Sequence, residues 1–104
     1  MTPVEPSPFM NEHTRVVASA NQVSTDGPGE AVILNTETGQ YHSLRNVGAY
    51  VWKLIQTPIT VADIHRTLLE RYEVDPDTCW RDLLDLLESL SAEGLLDITD
   101  EPTP

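Results

Sequence analysis

The side chains of this chain best suited at neutral pH to act as nucleophile, base or soft metal ligand are three histidines and one cysteine. A thiol nucleophile needs a base within hydrogen-bond reach, and a zinc site needs several ligands, often announced by spacings such as HExxH. His13, His42 and His65 fall in an N-terminal segment, a strand-like stretch and a helix-like stretch, and no two have a metal-ligand spacing. Cys79 and His42 make a formal nucleophile and base, but Cys79 sits in the first turn of a helical pattern among apolar neighbours. A lone cysteine there packs rather than reacts. Asp63 near His65 is ordinary helix-surface chemistry, and "DGPG" (Asp26–Gly29) lacks the spacing and the lysine of a phosphate loop. No catalytic residue, metal or cofactor is expected. What is left is the chemistry of a binding surface.

Charge narrows the partners. The 104 residues hold seventeen acids against six bases, a formal charge of −11. From Glu70 onward there are eleven acids and only Arg71 and Arg81. Such a surface repels phosphate backbones and anionic membranes and attracts basic ligands; its blander role is solubility. Neither nucleic acid nor membrane is expected as a partner. A single cysteine allows no intrachain disulfide and no CxxC motif. No apolar run approaches the length of a membrane span, and prolines stand where a signal peptide needs a hydrophobic segment, so a cytoplasmic protein is expected.

The elements that must position any site follow from pattern. Residues 1–13, with three prolines, read as a flexible arm, 99–104 as a flexible tail, and 14–98 as one domain with a small core. "TRVVASANQVST" (Thr14–Thr25) reads as a strand, "DGPG" as a turn and "EAVILN" (Glu30–Asn35) as a buried strand. "TETG" (Thr36–Gly39) closes a hairpin, with Gly39 free to take positive φ, and "QYHSL" (Gln40–Leu44) is the third strand of an antiparallel meander. Val47, Tyr50, Val51, Leu54 and Ile55 then mark one face of a helix that Asn46 can cap and Pro58 ends. Thr60 caps a second helix, with Asp63 three residues on and an apolar stripe of Val61, Ile64, Leu68 and Tyr72. Asp75-Pro76 opens a third helix that stops at Gly94, and "LLDI" (Leu95–Ile98) adds a short closing strand. The fold class is α+β: a three-stranded antiparallel sheet followed by a three-helix bundle, winged helix-turn-helix-like.

The third helix has an unusually wide apolar band. Leu83, Leu87 and Leu90 form a core stripe, Leu84 and Leu86 flank it on opposite sides, and Cys79 shares the side of Leu86. An amphipathic helix needs only somewhat over ~100° of apolar surface. Either both flanks are buried, or one lines an open groove. A recognition helix for DNA would carry basic or amide side chains, whereas this one offers Asp77, Asp82, Asp85, Glu88 and Glu93 against Arg81.

Taken in order, "AVILN", "TGQYHSL", "VGAYVW", "RYEVD" and "RDLLDLLESLSAEGLL" resemble the PqqD-like family, the peptide-recognition elements of ribosomally made, post-translationally modified peptide pathways. The resemblance runs from about Glu30 to Leu96 and departs at Arg45, where the family usually has the Asn that caps the next helix; Asn46 or Ser43 is the substitute. The wording around "NVGAYVW" is most similar to the stand-alone leader-binding proteins of lasso-peptide biosynthesis. The resemblance implies a non-catalytic protein that binds a precursor's leader peptide as an added antiparallel strand and presents it to a cysteine-protease leader peptidase and an ATP-dependent cyclase. The docking edge it implies is Gln40, Tyr41, His42, Ser43 and Leu44, and the candidate pocket residues are Tyr41, Cys79, Asp82, Leu83, Leu86 and Leu87. The alternatives are a peptide chaperone of the pyrroloquinoline quinone type and a general acidic protein-interaction module.

Overall fold

The computed structural model describes residues 10–99. In chain order its elements are β1 (Arg15–Ala18), β2 (Gln22–Gly27), β3 (Glu30–Asn35), β4 (Tyr41–Arg45), α1 (Val47–Leu54), β5 (Ile59–Thr60), α2 (Val61–Arg71), α3 (Pro76–Ala92) and β6 (Leu96–Ile98). They form two three-stranded antiparallel sheets, ordered β2-β3-β4 and β5-β1-β6, with three helices. The expected meander is present, but its first strand is not continuous from Thr14 to Thr25. At Ser19–Asn21 the chain leaves one sheet for the other, with Ser19 buried and its hydroxyl accepting the Asn21 amide at 3.0 Å. β1 then pairs with the two- and three-residue strands β5 and β6. The "DGPG" turn is also tighter than expected, since Asp26 and Gly27 stay paired with β3 and only Pro28 and Gly29 turn.

Most of the expected arm (residues 1–9) and of the tail (residues 100–104) lies outside the described residues. Met10 is buried in the core, and Asn11 to Thr14 form a turn closed by the Thr14 amide on the Asn11 carbonyl at 3.1 Å.

Local chemistry explains each helix start. Thr60 accepts the Asp63 amide at 3.2 Å at the head of α2. Asp75 accepts the Thr78 amide at 3.0 Å, and Pro76 occupies the first position of α3, where no amide is needed. The Thr78 amide and hydroxyl on the Asp75 carboxylate hold its carboxyl below the ordinary range. Gly94 ends α3 with a φ of 75°, the left-handed C-terminal signal. α1 starts differently from expectation. Asn46 has a φ of 54° and makes no side-chain cap, because the chain turns from strand to helix in that one residue. Its amide bonds back to the Gly29 carbonyl at 3.0 Å, tying the β4–α1 corner to the first hairpin.

One core joins the layers. Ile33 and Ala31 of β3, Val51 and Trp52 of α1, Ile64 and Leu68 of α2 and Leu84 and Leu87 of α3 are all essentially inaccessible. Fully burying one such large aliphatic or aromatic side chain contributes ~1.5–3 kcal/mol. Trp52 satisfies its indole by donating to the Ser24 hydroxyl at 3.2 Å.

Asn35 clamps the second hairpin to the end of α3. It is buried, donates from Nδ2 to the Glu93 carbonyl at 2.7 Å, and accepts the Glu37 and Thr38 amides at 2.8 and 3.2 Å on Oδ1. Leaving such partners unpaired costs ~1–3 kcal/mol. Asn35→Ala should therefore lower stability by about 2 kcal/mol. Asn35→Asp should cost more, because a carboxylate oxygen would face the Glu93 carbonyl. Urea titration followed by circular dichroism measures both; midpoints equal to wild type would show that the clamp carries no load.

Candidate functional site

β4 is an edge strand, paired with β3 on one side and with no strand on the other among the described residues. The direction of its backbone groups follows from register. Asn35 donates to the Gln40 carbonyl at 2.9 Å, which makes Asn35 and Gln40 a hydrogen-bonded pair. Pairs alternate along an antiparallel ladder, so His42 with Ile33 and Leu44 with Ala31 are bonded pairs too. Tyr41, Ser43 and Arg45 occupy the alternate positions, and their amides and carbonyls face away from β3. These are the groups free to receive another strand.

The same alternation sorts side chains. His42 and Leu44 are half-buried toward the helices, while Tyr41, Ser43 and Arg45 are exposed on the opposite face. β4 runs beside α3. An added Cβ on Gly48, in the first turn of α1, would stand 3.6 Å from the Leu44 Cβ and 4.0 Å from the Leu86 Cδ2. Leu44 and Leu86 thus flank Gly48 from strand and helix. At the other end His42 Nε2 lies 3.6 Å from Glu93 Oε1, too long for a hydrogen bond and an ion pair only when the imidazole is protonated.

Past Gly48 the trough opens into a cavity of about 320 Å³. Val47 and Gly48 of α1 form one wall, Leu68, Tyr72 and Val74 a second, and Thr78, Cys79, Asp82, Leu83 and Leu86 of α3 the third. The lining is largely apolar, with Asp82 as its one acid. Burial raises the Cys79 thiol above its ordinary pKa, and the Asp82 carboxylate raises it further. The thiol stays protonated and behaves as a wall rather than a nucleophile. Among the described residues no cluster of three or more His, Cys, Asp or Glu could hold a metal ion.

The structure thus brings together Cys79, Asp82, Leu83 and Leu86 of the expected pocket, with Leu44 and His42 along its approach. Two candidates stand apart. Tyr41 is 71 % exposed on the far face, because strand parity turns it away from α3. Leu87 is wholly buried in the core. Gln40 precedes the strand, and its carbonyl is taken by Asn35. The wide band on α3 divides accordingly: Leu84, on one flank, is buried, and Leu86, on the other, is half-exposed at the cavity. Sequence reasoning missed Val47, Gly48, Val74 and Thr78 as walls and placed Leu68 and Tyr72 on the apolar stripe of α2. A helix starting with glycine beside a strand leucine was the available signal for close approach.

The family model described as coenzyme PQQ synthesis protein D matches residues 30–96 of this chain. A solved structure of TbiB1 in complex with the TbiA(beta) leader peptide is similar, with 33% identity over 78% of this chain and 94% of that one and a TM-score of 0.74. A lasso peptide synthetase B1 complexed with the leader peptide is 22% identical over 79% of this chain and 96% of that one, with a TM-score of 0.70; it attests the fold. Among curated proteins nothing matches.

The Cys79 thiol offers a direct check on the cavity. Its absorbance titration near 240 nm should have a midpoint above that of a free cysteine, and Asp82→Asn should move the midpoint down, since one of the two raising causes is removed. A midpoint unmoved by Asp82→Asn would separate the two side chains.

Proposed function

We infer the function from the family to which this chain belongs, that of coenzyme PQQ synthesis protein D: it captures the leader segment of a ribosomally made precursor peptide as an added strand on β4. The observation that carries this is the vacant edge of β4 lying beside an apolar cavity. A docked strand would bond through the outward amides and carbonyls of Tyr41 and Ser43, which supply affinity without regard to sequence. Its alternate side chains would point toward Leu44, Leu86 and the cavity, where sequence is read. The 33%-identical protein, held with a leader peptide, supports this use of the fold.

The pathway we propose is lasso-peptide biosynthesis, in which the protein acts without catalysis in the cytoplasm. It holds the leader while a cysteine-protease leader peptidase and an ATP-dependent cyclase act on the same precursor. The 22%-identical protein, a lasso peptide synthetase B1 held with the leader peptide, agrees with that choice. A chaperone of the pyrroloquinoline quinone type would use the same edge, and membership of the coenzyme PQQ synthesis protein D family is what favours that second reading.

Binding peptides selected from a displayed library of random 15-residue sequences would test the mode. For an enriched peptide, Ser43→Pro should abolish binding with the fold intact, because it deletes an outward donor at an edge. His42→Pro should instead destabilise the protein, because that amide belongs to the β3 ladder. Leu86→Ala should weaken binding by ~1–3 kcal/mol through lost apolar contact. Fluorescence anisotropy reads affinity and thermal melting reads stability. Full affinity in Ser43→Pro would rule out strand addition.

A further inference from the structure

A second cavity, of about 510 Å³, lies on the other side of Tyr72 from the first, and Tyr72 lines both. Its walls are the β2–β3 turn, the face of α1 that carries Ala49, Tyr50 and Lys53, and the end of α2 at Arg71. Two of the chain's six basic residues, Lys53 and Arg71, therefore converge on one opening in a protein of formal charge −11. No described carboxylate forms an ion pair with either; the pair involving a described arginine is Arg66 with Asp63. The one acid on the lining is Glu30, whose register partner across the ladder is Arg45. Arg71 is also held in place. Its guanidinium stacks over the Tyr50 ring with Cζ 4.4 Å from the centroid, and Tyr50 meets the edge of Tyr72 at 6.2 Å between ring centres. Stacking fixes the plane of the guanidinium and leaves its N–H fork available for a carboxylate.

We propose that this cavity binds an acidic side chain of the captured peptide, on the N-terminal side of the part that adds to β4. The proposal rests on the strand-addition reading. A strand antiparallel to β4 begins at the Arg45 end, and that end leads to Asn46, which lines the second cavity. At ~3.3 Å per residue, a few residues of extended chain reach from the apolar cavity past Tyr72 to Lys53 and Arg71. The need is physical. Main-chain bonding to an edge is equally good in registers two residues apart, since such a slip keeps every side chain on its face. An acid bound at a fixed point beyond the edge selects one register.

The random-peptide display experiment tests this with the full chain as bait, comparing wild type, Lys53→Glu and the double variant Lys53→Gln/Arg71→Gln. Lys53 is exposed, so its variants leave the core intact even if removing Arg71 perturbs Tyr50. Wild type should enrich Asp or Glu at a fixed offset on the N-terminal side of the apolar anchor. Both variants should lose that preference and keep the anchor. In a selected peptide, replacing the acid by its amide should weaken binding to wild type about fivefold, as for a partly exposed pair, and leave binding to the double variant unchanged. Anchored peptides with no acidic preference, or a preference that survives in both variants, would overturn the proposal and leave strand addition standing. Peptides whose binding ignores Ser43→Pro would overturn both.

Discussion

An antiparallel ladder engages every second residue of a strand from one side, so a strand with a single neighbour keeps the alternate amides pointed outward. In β4 those residues are Tyr41, Ser43 and Arg45, and the candidate site depends on their staying unpaired. The chain enforces this by how it leaves the strand. Asn46 takes a positive φ, anchors its amide on Gly29, and sends the backbone straight into α1. α1 packs under the sheet through Val51 and Trp52 rather than along its edge. The connection from β4 to α1 is the single residue Asn46, so it leaves no length of chain to cover β4 from the outside. The tight corner that makes α1 start without a side-chain cap is the same corner that keeps the edge open.

α3 balances two demands along one helix. Leu83, Leu84, Leu87 and Leu90 are buried and hold the helix to the rest of the core. Leu86 and the Cys79–Asp82 turn face the cavity and leave apolar surface where water can reach it. That surface costs solvation free energy until something covers it, and Gly48 keeps the passage to Leu44 clear. The core side can carry the cost because the helix is fixed at both ends, by Asp75 and Pro76 at its start and by Asn35 on the Glu93 carbonyl at its finish.

What was legible in the sequence was whatever local chemistry decides. Gly39 and Gly94 at positive φ, Thr60 and Asp75 as caps, and the stripe through Leu83, Leu87 and Leu90 are set by residues within a few positions of one another. What was not legible depended on distant partners. β5 is only two residues long and exists because Thr60 and Ile59 meet Arg15 and Val16. The break at Ser19 lies between Val16 and Val17 on one side and Val23 on the other, and shows only when Leu96–Ile98 arrives to claim β1. Tyr41 stood among the pocket candidates, but its side depends on which parity of β4 faces the helices. Within the cavity, Cys79, Asp82, Leu83 and Leu86 of α3 were found from helical spacing, and Thr78 was not. Leu68 and Tyr72 were not, since a residue of a core stripe becomes a wall only where the stripe outruns its cover.

An open edge beside exposed apolar surface is also an invitation to other copies of the same chain. β4 is five residues long, which limits the pairing it can offer, and Arg45 puts a charge at one end. The stronger protection is long-range. Two copies approaching edge to edge each carry a formal charge of −11, and their fields oppose the encounter before any strand pairing begins. A short peptide of low or positive charge meets no such barrier along the acidic face of α3, and an acid at its N-terminal end is met by Lys53 and Arg71 rather than by Asp82. The charge that discourages self-association is therefore uneven along the trough, with Asp82 on the lining of the apolar cavity and Lys53 and Arg71 on that of the second, and a ligand with an acid at one end fits it in one direction.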